Sequence, residues 1–404
     1  MMLQYFEGLT QGLEAKLTAG GSKYVARKRY ALEVARLGVK LFHPDTRVAW
    51  CGIAVPFDLL NAMDVTSCYV EFVGAMLAST GGVEPMLEVA EQRGYSTDAC
   101  SYHRSVLGAA IQGLMPEPDF LVGTSAPCAG GLAVIENLAK HFHKPLHVIH
   151  IPPHRGPEAV RYLAEQYRAT ADFVAEHSRR PLDLDAVRAA LERTNQLREL
   201  MVEINRLAAH TPTPARRKDM INLGIVMALF YGTEGGLEVA RAYRDELTGI
   251  LESRPADSPR ESVRLMWLQN RIQFKHPLLD FLYDDLGAAV VADELNDIPW
   301  QPLDPDDPFV GMAERALSIP LVGKVEWRIE RLRVIAREYQ VDGAINPTQW
   351  GCRQGSGARG LISDALRSEG VPVLNLEVDC IDPRSFAEGQ LKTRLEAFVE
   401  MLSN

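Results

Sequence analysis

The sequence predicts an α/β protein built from two parallel-sheet domains of the flavodoxin or Rossmann type, with helical segments at the N-terminus and in the centre. Two observations carry this. Short apolar runs alternate with amphipathic helical stretches in two separate blocks, the signature of a parallel sheet with crossovers. Between the blocks lies a long stretch with no strand pattern, rich in Ala, Leu, Glu and Arg. Residues 1–45 read as a helical lead-in, and their basic stretch from Lys23 to Arg36 reads as a solvated helix face. Residues 46–156 form the first α/β domain, with RVAWCGIAVP, DFLVGTSAPC and PLHVIHIPP as strand segments and LAVIENLAKHF as a crossover helix. Residues 157–258 form the helical segment and close on the breaker ESRPADSPRES. Residues 259–404 form the second α/β domain, with VRLMWLQN, AAVVADE, VDGAINPTQW and VPVLNLEVD as strand segments and a final helix through LKTRLEAFVEML.

Composition sets the class. A chain of 404 residues, 47% hydrophobic and 24% charged, buries more than one core. A net charge of -10 without a basic run argues against nucleic acid or an anionic membrane as the main partner. The N-terminus has no basic region followed by an apolar run, and no stretch approaches the roughly 18 to 20 apolar residues of a membrane span, so the expected location is the cytoplasm. In a reducing cytosol six cysteines are expected to stay as thiols or thiolates, leaving metal or redox chemistry to compete with inert burial.

The cysteines fall at 51, 68, 100, 128, 352 and 380, all within the two α/β blocks. Cys51, Cys128, Cys352 and Cys380 lie at or just past the carboxyl end of a predicted strand, the edge where open parallel sheets place ligands. Cys128 precedes a predicted helix, and so does Cys352, where Gly351, Gly355 and Gly357 permit close backbone approach. Helix starts of this kind are expected to lower a thiol pKa and to donate hydrogen bonds to cluster sulfides. No CxxC pair is present, which removes ribbon-type zinc sites and ferredoxin ligand runs, so any ligands converge from distant segments. Spacing alone leaves buried structural cysteines and a cluster as equal readings.

The stretches CGIAVPFDLL, GYSTDACSYHR, PCAGG, QWGCRQGSGA and VDCIDPRSFAEGQLKTRLEAFVEML, in that order, resemble the large components of 2-hydroxyacyl-CoA dehydratases, benzoyl-CoA reductases and double-cubane cluster proteins. The resemblance runs from about residue 47 to the C-terminus. It implies iron ligation by Cys100, Cys128 and Cys352, which suits a [4Fe-4S] cubane with one iron free. With Cys51, Cys68 and Cys380 added, six thiolates match the [8Fe-9S] double-cubane branch, although Cys380 in VDCIDPR also reads as an outer neighbour of the cluster. The implied activity is low-potential reduction of a small molecule or an acyl-CoA-like substrate. The implied partners are an ATP-hydrolysing iron-sulfur activator and a second copy or a related subunit. Consistently, the chain has no GxxxxGK[ST] loop and no dinucleotide fingerprint after its first strand. Two departures stand out: Ala129 where the family has an acid, and Gln349 where it has a histidine. They put the substrate chemistry in question because an acid or proton donor is missing there. A non-catalytic electron-transfer or cluster-assembly accessory without a substrate of its own, and a metal-free sugar- or nucleotide-binding α/β protein, are the competing classes.

Other residues carry two readings each. His103 and Arg104 read as a proton donor and a holder of a substrate carbonyl or CoA phosphate, or as surface polar contacts. Glu71 reads as a site carboxylate or a solvated cap. Tyr102 and Trp350 flank the ligands, as water-excluding aromatics or as core packing. His147 and His150 fall on different faces of one strand, so His141, His143, His147, His150 and His154 do not form one metal site by periodicity, while His154 and Arg155 lie at the rim. Asp379 and Asp382 read as caps of the turn before the final helix or as acids near the cluster.

Overall fold

The structure, a computed structural model, describes residues 2–20, 25–215 and 220–403. Two four-stranded parallel sheets form the framework. The first contains β1 (Val48–Cys51), β2 (Thr66–Tyr69), β3 (Phe120–Thr124) and β4 (Leu146–Ile149), in the order β2-β1-β3-β4. The second contains β5 (Val263–Trp267), β6 (Ala288–Asp293), β7 (Gly343–Gln349) and β8 (Val373–Val378), in the order β6-β5-β7-β8. The two orders are the same pattern repeated. Each sheet reverses direction between its first and third strands, and a doubly wound sheet opens its ligand crevice there, at the carboxyl ends.

The expected two-domain α/β architecture is therefore present. The four central strands β1, β3, β5 and β7 are buried along their whole length, because helices cover both faces of a parallel sheet. Strand β2, which carries Cys68, has no counterpart among the strand segments read from the sequence. Its four residues, TSCY, pass directly into the apolar helix Val70–Ser79, so no alternation marks them.

Helix Val25–Phe42 continues the basic stretch whose first residue, Lys23, lies outside the described residues. It turns Ala26, Leu32, Ala35 and Leu41 inward, while Arg29 and Arg36 pair outward with Glu238 and Glu14. The central segment forms helices Pro157–Ser178, Leu184–Ala208 and Glu234–Glu252. Asp183 caps the second of these by accepting hydrogen bonds from the Asp185 and Ala186 N–H groups.

The cores exchange elements. Trp300, Phe309, Met312 and Leu317, from the stretch between β6 and β7, join the core of the first sheet. Val83, Leu87 and Tyr102, from between β2 and β3, join the core of the second sheet with Trp267, Leu376 and Cys380. This crossed packing makes the boundary between the sheets apolar and broad, so it acts as a floor for the site more than as a hinge.

Helices Val83–Gln92 and Ser101–Ile111 meet backbone to backbone. A Cβ on Gly108 would lie 1.9 Å from the Met86 carbonyl oxygen. Gly108→Ala is therefore expected to lower the melting temperature through a loss on the order of 1–3 kcal/mol, the cost of forcing extra volume into a packed contact. An unchanged melting curve would mean that these helices separate freely.

Candidate functional site

Cys100, Cys128 and Cys352 each occupy the residue immediately before a helix: Ser101–Ile111, Ala129–Phe142 and Arg353–Ser356. Two come from the first domain and one from the second. Cys128 follows β3 through a small-residue turn. Gly130 and Gly131 open its helix against His103 and Glu71, leaving no room for side chains: a Cβ on Gly130 would stand 3.0 Å from His103 Cε1 and 3.5 Å from Cys128 Sγ. Cys352 follows β7 through Gly351, whose φ of +70° suits glycine. A Cβ there would meet the Asp98 carbonyl oxygen and the Cys100 nitrogen, each at 2.6 Å. The turns carrying Cys100 and Cys352 thus touch through their backbones.

The docking of helix Ser101–Ile111 onto the second sheet makes this contact. Ser101 Oγ donates to Asp379 Oδ1 at 2.6 Å and accepts from Gln349 Nε2 at 3.0 Å. Gln349 Oε1 accepts from the Cys380 N–H at 2.5 Å, and Asp379 Oδ1 accepts from the Ile381 and Asp382 N–H groups. Gln349 is therefore a buried strut between two domains. Asp379 caps its turn and anchors the same strut.

The helix start at Cys352 carries the expectation of a lowered thiol pKa, and the net effect there is the reverse, as it is at Cys100. The N–H groups of Tyr102 and His103 act downward on Cys100, and those of Gly355 and Gln354 act downward on Cys352. Burial outweighs them and pushes both thiols up. The neighbouring thiols add to this: Cys352 raises Cys100, Cys128 raises Cys352, and both Cys352 and Cys100 raise Cys380 after its own burial. A lone thiolate is unfavourable here. Several thiolates become favourable together when a cationic metal group neutralises them.

The donor set can be tested against an iron-sulfur group. Among the described residues, no three His, Cys, Asp or Glu side chains close around a single ion. Cys352 nonetheless acts on Cys100 and Cys128 on Cys352, and each of the three precedes a helix N-terminus, a donor set that fits a polynuclear cluster whose complex with thiolates is anionic. Two buried polar atoms near these thiols lack partners: Glu71 Oε2, whose carboxylate lies against Gly131 beside Cys128, and Gln269 Oε1, against Gly355 beside Cys352. The Gly355 N–H also donates to Cys352 Sγ at 3.3 Å.

The other cysteines sit deeper. Cys51 ends β1 and Cys68 is the last but one residue of the adjacent β2, both fully buried, with Sγ atoms 3.8 Å from the Ala49 carbonyl and 3.4 Å from the Tyr69 carbonyl. Burial raises Cys68 first, then its neighbours Cys51 and Glu71. Glu71 Oε1 in turn lies 3.4 Å from His103 Nε2, so Glu71 links this pair to the surroundings of Cys128. Cys380 is buried in the second core with Sγ 3.9 Å from the Asn270 carbonyl.

His103 and Arg104 are buried, so neither is a surface contact. Arg104 points away from Cys128 into a polar cluster: its guanidinium donates to Glu91 at 2.5 Å and to the Ala99 carbonyl at 3.0 Å, with Asp382 at 3.8 Å. Tyr102 packs in the second core and accepts from Gln273 Nε2 at 3.3 Å. Trp350, beside Cys352, is 49% exposed and is not core packing. Asp382 caps the Pro383–Ser385 turn, and Arg155 donates to the Leu317 and Ser318 carbonyls while stacking on Trp327. His141 bonds the Ala110 carbonyl, and His147 stacks on Phe173.

Sequence reasoning did not find a cavity of about 190 Å³ that Pro127, the residue before Cys128, helps to line. Ile53, Phe57, Tyr231, Trp300 and Ile319 give it apolar walls. Arg328, which also lines it, lowers the Cys352 pKa after the larger effects of burial, the helix N–H groups and Cys128, and it donates to the Gln354 carbonyl at 3.2 Å. The cavity thus adjoins both domains' cysteine turns. No described helix is long and apolar enough to cross a membrane.

Comparison with known proteins matches residues 52–402 to the family described as 2-hydroxyglutaryl-CoA dehydratase, D-component. The chain is similar to the alpha subunit of lactoyl-CoA dehydratase from Anaerotignum propionicum, 26% identical over 388 residues, covering 88% of this chain and 90% of that protein. It is also similar to one of the subunits of benzoyl-CoA reductase from Thauera aromatica, 25% identical, covering 86% and 85%. The alpha subunit of (R)-phenyllactyl-CoA dehydratase from Clostridium sporogenes is 23% identical, with 88% and 89% covered.

Proposed function

Because the chain belongs to the 2-hydroxyglutaryl-CoA dehydratase D-component family, whose members are enzymes, we propose that it is the iron-sulfur catalytic component of a low-potential reductase driven by a separate ATP-hydrolysing activator. The observation that supports it most is the placing of three cysteines from two domains, Cys100, Cys128 and Cys352, each directly before a helix and near enough for Cys352 to act electrostatically on Cys100 and Cys128 on Cys352. An iron-sulfur cluster bound by these thiols supplies electrons at low potential to an acyl-CoA-like or small substrate.

The residues around it have separable tasks. Cys100, Cys128 and Cys352 hold the cluster, and the helix N–H groups behind them offset its negative charge. Gly130, Gly131 and Gly355 keep the backbone close to the sulfurs. His103, held by Glu71 at 3.4 Å, is the group placed to carry a proton near Cys128. Arg104 ties the Cys100 turn to Glu91 and Asp382 and so holds that turn in place. The apolar cavity excludes water from the substrate's reacting end. The second polypeptide is a further copy or a related subunit.

Six thiols linked through Glu71 and Cys352 favour a double cubane of the [8Fe-9S] type, with Cys51, Cys68 and Cys380 as the added ligands. The full burial of Cys51 and Cys68 against backbone carbonyls favours the second reading, a single [4Fe-4S] cubane of the dehydratase or benzoyl-CoA reductase type. Iron and sulfide analysis of protein purified without oxygen distinguishes them: roughly eight irons per chain indicates the first and roughly four the second. A colourless, iron-free preparation after anaerobic reconstitution would refute both.

A further inference from the structure

The cavity beside the cysteine turns contains three arginines, and each is already neutralised. Arg315 donates to Asp58 at 2.6 and 2.9 Å and lies over the rings of Tyr231 and Trp300. Arg328 donates to Glu294 at 2.5 and 2.8 Å, and Arg331 to Asp297 at 2.7 and 2.6 Å. All three are two-pronged pairs, and all three arginines face the cavity with Glu294 and Asp297. A ligand carboxylate entering here would have to displace a built-in one and would face the repulsion of both.

The remaining walls are mainly apolar and include Ile53, Val55, Phe57, Tyr231, Trp300 and Ile319. A cavity of about 190 Å³ fits a small apolar group, since an apolar cavity of about 150 Å³ takes up benzene. From this we infer that the cavity selects an uncharged apolar or aromatic acyl group and rejects one that ends in a second carboxylate. The inference rests on the acyl-CoA reading above for the chemistry of the rest of the ligand, but its own content is the preference of this cavity.

The test is titration calorimetry on the anaerobic, iron-loaded protein with benzoyl-CoA, glutaryl-CoA and benzamide, the last carrying the ring without coenzyme A. Benzoyl-CoA is expected to bind at least tenfold more tightly than glutaryl-CoA, and benzamide to bind measurably. Ala316→Trp and Ala228→Phe, which fill the cavity from two of its elements, are expected to weaken both aromatic ligands at least tenfold with iron content unchanged. Asp297→Asn, which releases Arg331, is expected to narrow the preference by improving glutaryl-CoA binding. Benzamide binding without binding of either thioester keeps the cavity assignment and removes the acyl-CoA reading. Equal affinity for the two thioesters, no benzamide binding, or indifference of benzoyl-CoA to both filling variants would overturn the inference.

Discussion

Cys352→Ala protein purified without oxygen is expected to keep its fold and lose half or more of its iron relative to the unaltered chain. The second domain contributes this thiol through a turn whose glycine presses on the Cys100 nitrogen, so removing the sulfur deprives the cluster of its ligand across the domain boundary. Circular dichroism should stay native, because the thiol is small and its bonds are to the N–H groups of its own turn, Gly355 and Gln354. Gly351→Ala gives a sharper version of the same test, since it keeps every thiol. An added methyl at a φ of +70° collides with Asp98 and Cys100 backbone, and separating the turns should lower iron content comparably. Full iron in both variants would mean that the metal, if bound, sits elsewhere.

Arg315→Met is expected to be the most destabilising single change outside the cysteine turns. Asp58 is completely buried and relies on the Arg315 guanidinium, with the Leu59 N–H and Thr194 as its only further hydrogen-bond partners among the described residues. Removing one partner of such a pair leaves an uncompensated charge in the core, at about 3–5 kcal/mol. The urea midpoint should fall accordingly. The double variant Asp58→Leu, Arg315→Met should recover most of the loss, because it removes both charges together. A double variant as unstable as the single one would assign the effect to packing against Tyr231 and Trp300 instead.

The central strands were legible because a strand buried on both faces is an unbroken apolar run, as in FLVGT and VRLMW, bounded by turn residues. Strand β2 was not, since four residues continuing into an apolar helix offer no period to read. The helix-start cysteines Cys128 and Cys352 announced themselves through the small residues around them. The sign of the thiol shifts was not legible, because it depends on burial by segments hundreds of positions away. Distance in the chain also hid the Gln349 strut, which reaches Ser101 across 248 positions, and the Asp58–Arg315 pair, which spans 257. Both belong to the crossed packing of the cores, and single-sequence periodicity carries no information about which helix docks on which sheet.

Anomalous scattering at the iron edge from crystals grown without oxygen would locate the metal directly. The account predicts iron density in the crevice bounded by the Sγ atoms of Cys100, Cys128 and Cys352, with all three sulfurs bonded to it. Iron bound elsewhere, or density that leaves the Cys352 sulfur unbonded, would contradict it.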